Sequence, residues 1–224
     1  MAINTLFSNR ITDLIGSEYS TIASNSYVDL FNAAISEIAD MAPSELLLKY
    51  AVGPILLDHN TPTWTSVEGK KVLLVTREEG DGGPYRECKV TSLQDFERVK
   101  DTNSIYLATA HSPVYAYLTA GGDTALNIFP TPTATEGAKI YYFAYPTTDN
   151  TGATSLTGFP NELEQAVILR ACISIVQTYI SDFVQDEEDN EMLSMLSTQI
   201  QSLSALYTVE INRFKEADAT PRGE

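Results

Sequence analysis

Histidines, cysteines and clustered carboxylates build most protein sites, and this chain of 224 residues holds only two of each of the first two. His59 precedes Asn60 and a run rich in Thr and Pro that contains Trp64, while His111 stands with Ser112 and Pro113 between two apolar stretches. Both contexts predict polar surface turns rather than general acid–base partners. Cys88 falls in a predicted strand and Cys172 in an apolar helical stretch, so they supply neither a disulfide framework nor a pair of metal ligands, and two buried inert thiols are expected. Gly80, Gly82 and Gly83 invite comparison with a phosphate cradle. Asp81 interrupts them, however, Pro84 follows, and the next stretch has strand period, so no helix N-terminus is available to hold an anion.

Carboxylates gather at Asp182, Asp186, Glu187, Glu188, Asp189 and Glu191 with no basic residue among them. A cation loop would be their chemistry, but the run lacks the alternating oxygen ligands and central glycine of an EF-hand, and a solvated helix junction is expected instead. No GxSxG, HExxH or paired CxxC occurs, and no spacing singles out two carboxylates as a glycosidase pair. The expected catalytic, cofactor-binding and metal residues are therefore none, and no enzymatic activity is expected.

The elements that would have to position any site are organised around 159–214, read as two long helices joined by the acidic elbow. Pro160, Asn161 and Glu162 suit a first helical turn. From Ala166 to Val184 the polar residues Arg170, Ser174, Gln177 and Ser181 recur at spacings of four, three and four. That places them in one narrow stripe and leaves Val167, Ile168, Cys172, Ile175, Val176 and Phe183 on the remaining girth. Such a helix is expected at the centre of a bundle, enclosed on most sides, in part by identical neighbours. Leu193, Leu196, Ile200, Leu203, Tyr207 and Phe214 give the second helix a seam to lie against the first.

Upstream, Phe7, Ile11, Leu14 and Ile15 predict a short helix ending at Gly16, and Ser26 with Asp29 has capping-box spacing before the stripe Tyr27, Leu30, Phe31, Ala34, Ile38 and Met41, which Pro43 stops. A further turn or two follows at 44–50. From Gly53 to about Pro146 the period changes to two. Lys71–Glu79 and Tyr85–Thr91 predict a hairpin, Leu93–Lys100 a short helix facing Phe96 and Val99 inward, Ile105–Ala110 and Val114–Thr119 a second strand pair, and Ala125–Phe129 with Lys139–Tyr145 a third. The expected fold class is thus α+β: a helical bundle built on a long C-terminal helical hairpin, with an antiparallel β-rich insertion. Its expected segments are 1–52 (N-terminal helices), 53–150 (β-rich insertion) and 151–224 (helical hairpin and polar tail).

Composition narrows the functional classes. The balance of 14 basic against 30 acidic residues, a net charge of -16, disfavours a sequence-independent grip on nucleic acid, which needs clustered Lys and Arg. No secretory signal is visible in 1–20, and the apolar core Ala166–Val176 is shorter than the roughly 20 residues that span a bilayer. A soluble protein of a reducing compartment, with no membrane partner, is expected.

The order of elements resembles the head-to-tail adaptor, or connector, proteins of tailed bacteriophages. The residues carrying the resemblance are a strand ending in Pro130, Thr131 and Pro132, a tyrosine-rich return strand Lys139–Pro146, and Phe159, Pro160, Asn161 and Glu162 opening an apolar helix. Tyr85 to Cys88, Ser104 to Tyr106, and Pro113 with Val114 add to it. The enlarged β region departs from smaller members. The resemblance implies a virion structural protein of the neck, assembled in the host cytoplasm. It would form a homo-oligomeric ring of twelve copies below the portal protein and above a tail or nozzle protein, extending the channel through which genomic DNA passes without sequence-specific binding. No cofactor is implied. The acidic elbow or tail would then lie near the lumen or the portal contact. The competing class is a carbohydrate-binding or adhesion module of a virion or tail, which would expose Trp64 and tyrosines along one groove.

Overall fold

The computed structural model describes residues 4–16, 24–57, 64–120, 122–133, 135–147, 156, 158–186 and 190–218, and their side chains except at 4–8, 24–27, 64, 182–186, 190 and 215–218. The expectations placed on the side chains of Phe7, Tyr27, Trp64 and Phe183, on His59, on nearly all of the acidic elbow and on the polar tail lie outside these residues.

In chain order the elements are α1 (Asn4–Ile15), α2 (Ser24–Met41), α3 (Ser44–Leu48), β1 (Val52–Leu57), β2 (Trp64–Ser66), β3 (Lys70–Glu78), β4 (Tyr85–Glu87), β5 (Lys89–Val90), α4 (Leu93–Arg98), β6 (Val114–Ala120), β7 (Asp123–Phe129), β8 (Ala138–Ala144), α5 (Glu164–Asp186) and α6 (Asn190–Asp218). The fold is α+β, and the chain divides into two compact units, 1–47 with 145–224, and 48–144.

In the first unit, α1 ends as its sequence predicts: Gly16 takes φ +89° and its N–H donates to the Thr12 carbonyl at 2.7 Å, a left-handed closure that costs a glycine little. α2 is already helical at Ser24, so the Ser26–Asp29 spacing lies inside its first turns and does not mark its start. Pro43, which lacks an N–H to continue the ladder, follows its end. Phe31, Ala34, Ile35, Ile38 and Ala39 are buried, the three-and-four spacing of one helix face.

That face meets α5, which packs against α1, α2 and α6. Val167, Ile168, Ala171, Cys172, Ile175 and Val176 have no solvent-exposed surface. The polar stripe behaves as its spacing predicts: Gln177 and Ser181 are exposed, and the half-buried Arg170 donates through Nε to Glu37 Oε2 on α2 at 2.7 Å. The stretch Asn161–Ser181 is long and apolar enough, by length and composition, to cross a membrane. Burial by helices of the same chain accounts for that apolarity, and through Val176 it leaves little for a neighbouring copy to cover. Along α6, Leu196 and Leu203 are buried and Leu193, Ile200, Tyr207 and Phe214 half-buried, which is the seam the sequence marks. Gln199 donates through Nε2 to the carbonyls of Leu14 and Ile15 at 3.4 and 3.5 Å, satisfying acceptors that the end of α1 would otherwise leave open.

The second unit holds two four-stranded sheets, ordered β1-β8-β3-β4 and β2-β7-β6-β5. Leu57, Val75 and Ile140 from the first and Leu126 and Ile128 from the second share one core with Cys88 and with Val67, which follows β2. Most strands follow the period-two pattern, but pairing does not follow sequence adjacency. Tyr85–Thr91 is not one strand: β4 pairs antiparallel with β3, whereas β5 pairs parallel with β6 in the other sheet. The chain changes sheets at buried Cys88, whose N–H donates to the Val75 carbonyl at 2.8 Å. The insertion is therefore not wholly antiparallel.

Ile105–Ala110 forms turns rather than a strand, with Ile105 91% exposed. The antiparallel partner of β6 is instead β7, with Ala120 opposite Asp123. β7 and β8 are consecutive strands in different sheets. Residues 130–137 between them exceed the two to five that close a hairpin and can cross the roughly 10 Å between stacked sheets. α4 is capped by Ser92, whose Oγ accepts from the Asp95 N–H at 3.1 Å, and its inward side buries Phe96 and Val99 with Ala108 and Ala116.

Candidate functional site

The residues weighed for chemistry occupy separate places. His111 is exposed in a turn, its Nδ1 2.6 Å from Glu79 Oε1, while Arg86 Nε donates to Glu79 Oε2 at 2.5 Å. Arg86, and after it His111, hold the Glu79 carboxyl below the usual carboxylate range. This surface ion cluster ties the end of β3 to the turn before β6 and presents no enclosed reaction volume. The Gly80–Gly83 loop is a tight turn: the Gly83 N–H donates to the Gly80 carbonyl at 2.7 Å, and a Cβ on Gly83 would stand 2.9 Å from that oxygen. Its glycines therefore serve backbone closure, not an anion.

Cys88 and Cys172 are both buried and free, and burial pushes each thiol up to about 12. They behave as packing residues, as their sequence contexts predict. Among the described residues no three His, Cys, Asp or Glu side chains converge to hold a metal ion.

Two polar arrangements escaped sequence reading. In the β unit, Arg77 on β3 is almost wholly buried. Its Nε donates to the Pro130 carbonyl at 2.7 Å, one terminal nitrogen to the Glu78 carbonyl at 2.6 Å, and the other to Glu136 Oε2 at 2.7 Å. Glu78 in turn accepts from the Gly137 N–H at 3.0 Å. A single guanidinium thus pins both ends of the Pro130–Gly137 crossing, a use of its fixed fork that Lys cannot imitate. The signal for it was an acid, Glu136, in an otherwise uncharged Pro, Thr and Gly loop.

In the helical unit, Glu164 opens α5 buried, its Oε1 without a hydrogen-bond partner. Burial raises its carboxyl above the ordinary range, with Arg10 and the Leu156 N–H opposing; Arg10 itself donates to Gln165. A carboxylate raised by folding favours the folded state most when protonated. That contribution is complete below the unfolded value of about 4.3 and is lost as pH rises through the folded one. Glu164→Gln is therefore expected to melt higher than the parent at pH 7, with the gap closing as thermal melts are repeated toward pH 4.

A cavity of about 70 Å³ in the helical unit is lined by Ile38, Met41, Pro43, Leu163, Ile211 and Phe214 among others. It is apolar and brings no acid, base or nucleophile to bear on a substrate. Exposed large apolar side chains include Val90, Leu93, Ile105 and Tyr106 around α4, and Met195, Leu206 and Val209 on α6. Such side chains are suited to contact with other protein surfaces.

Residues 3–221 match the family described as SU10 adaptor protein. No curated protein matches the chain.

Proposed function

The chain belongs to the SU10 adaptor protein family, a family of bacteriophage structural adaptors, and from that premise we propose that it forms a ring below the portal protein that joins capsid to tail and extends the DNA channel. The match over nearly the whole chain carries this reading. In the proposed neck, twelve copies close by a heterologous contact, the kind that makes a ring when its rotation returns to the start. The portal protein lies on one side and a tail or nozzle protein on the other, with assembly in the host cytoplasm.

We assign self-assembly to the helical segments 1–52 and 151–224, read as a bundle built on the α5 and α6 hairpin, and treat 53–150 as the insertion they carry. A net charge of -16 supports a role around DNA rather than on it. Phosphates find few cations to displace their counterions, so the duplex slides. The acidic elbow and the tail are assigned to the lumen or the portal contact; a structure of the neck with both on the outer rim would remove that assignment. No catalytic role, cofactor or metal is assigned.

A carbohydrate-binding role finds less support. Among the described residues the exposed tyrosines Tyr85, Tyr106 and Tyr117 lie on β4, in the 105–110 turns and on β6, and two of them stand beneath cations, Tyr85 under Lys139 and Tyr106 under Arg98. Mass measurement of the purified protein with and without portal protein tests the ring. A closed assembly of defined mass containing both proteins is expected. Separate, non-associating species at micromolar concentrations of each would overturn it.

A further inference from the structure

α6 carries a second face that none of the described residues covers. Between Glu191 and Glu210 it has no charged residue, although charged residues make up 20% of the chain. Its water-facing positions there are Ser194, Met195, Ser197, Thr198, Gln201, Ser202, Ala205, Leu206, Thr208 and Val209. Met195, Leu206 and Val209 are 68%, 49% and 62% exposed. A helix that meets only solvent ordinarily carries charge on its outer side.

The spacing is that of a helix partner. Glu191, Met195, Thr198, Ser202, Ala205, Val209 and Arg213 follow one another at four, three, four, three, four and four residues, a heptad-like seam on the side of α6 opposite the one packed on α5. Small Ser202 and Ala205 near its middle permit close approach of a second backbone. The uncharged run is 18 residues, about 27 Å of helix.

We infer that this face pairs with the same face of a second copy, the two α6 helices antiparallel about Ser202. The seam is its own complement in that orientation. Met195 and Val209 lie seven residues either side of Ser202, and Glu191 and Arg213 eleven residues either side. Antiparallel pairing sets Met195 against Val209 and Glu191 against Arg213; parallel pairing would set each charge against its like. Arg213 already meets Glu210 of its own helix at 2.8 Å, but its side chain is 69% exposed, which leaves it open to a second carboxylate. Copies that each carry sixteen net negative charges also approach most easily where the surface holds none. One helical stripe buries less than the roughly 800 Å² per partner of a standard interface, so the contact is weak and concentration-dependent. A two-fold contact closes on itself and does not propagate, so it belongs to the free protein and stands apart from the proposed ring.

Oxidative cross-linking of the full-length chain tests the pairing; native Cys88 and Cys172 are buried and stay out of the reaction. Ser202→Cys is expected to form a covalent dimer at tens of micromolar protein, at least tenfold faster than Ser181→Cys on the exposed stripe of α5. Met195→Cys mixed with Val209→Cys should cross-link, while each alone should not. Leu206→Glu, at an exposed position, should keep its melting temperature yet lose the concentration-dependent rise in sedimentation. Cross-linking of Met195→Cys to itself, a Ser202→Cys rate equal to that of Ser181→Cys, or protection of the face only when portal protein is added would each overturn the inference. The ring is read separately, by mass with portal protein, so either idea can fail without the other.

Discussion

Ile175→Asp is expected to abolish the cooperative thermal transition and drive the protein into the insoluble fraction, and Val167→Asp to do the same. Both side chains have no exposed surface on α5, the helix that α1, α2 and α6 all pack against. An aspartate there has no hydrogen-bond partner and no route to water, and burying an unpaired carboxylate costs at least several kcal/mol. A domain of this size has about 5–15 kcal/mol in total. Gln177→Asp, on the exposed stripe of the same helix, serves as the control and should change stability by no more than about 0.5 kcal/mol. Circular dichroism melts of the three variants decide the matter. A soluble Ile175→Asp protein with the parent melting temperature would show that α5 is not the core of its unit.

The second large effect belongs to the β unit. Arg77→Met is expected to destabilise it by about 3 kcal/mol, toward the lower end for a broken buried ion pair, because Glu136 is 31% exposed and can turn partly to water. The substitution leaves the Pro130 and Glu78 carbonyls short of a donor and frees both ends of the crossing at once. Limited proteolysis should therefore cut within 130–137 in the variant and not in the parent. Arg77→Lys should recover little, since a single ammonium cannot reach three acceptors set by a planar fork. Arg77→Met with Glu136→Gln should recover part of the loss by removing the unpaired charge. If Arg77→Met melts like the parent and resists protease equally, the crossing is held by its own backbone and not by the guanidinium.

Both expectations rest on positions that differ in how visible they were beforehand. α5 was legible as a buried helix because Arg170, Ser174, Gln177 and Ser181 fall on one stripe, and no tertiary knowledge is needed to see that most of the remaining girth must be covered. Cys172, Phe96 and Val99 were placed in cores by the same periodicity. Arg77 was not legible: a cation in a strand ordinarily reads as the solvent-facing half of the alternation. Its burial depends on the Glu136 carboxylate and the Pro130 carbonyl, 59 and 53 residues along the chain, which only folding brings to it. The outer seam of α6 was open to inspection but is marked by missing charge, which is less conspicuous than a hydrophobic repeat.

The sequence by itself determined where the long helices lie, which side of each is dry, that 53–146 is rich in strands, and that the chain holds no familiar catalytic motif. These follow from the repeat of one element, 3.6 residues or two, and from the few side chains able to do chemistry. Only the tertiary structure decided which strands are partners. It split 85–90 between two sheets at Cys88, sent β7 and β8 to different sheets, left 105–110 as turns and made one pairing parallel. Period two says that a strand has a dry face but not whose edge it joins. That choice is made by loop length, by the bulk available to fill the shared core, and by buried groups such as Arg77 that find their partners far along the chain.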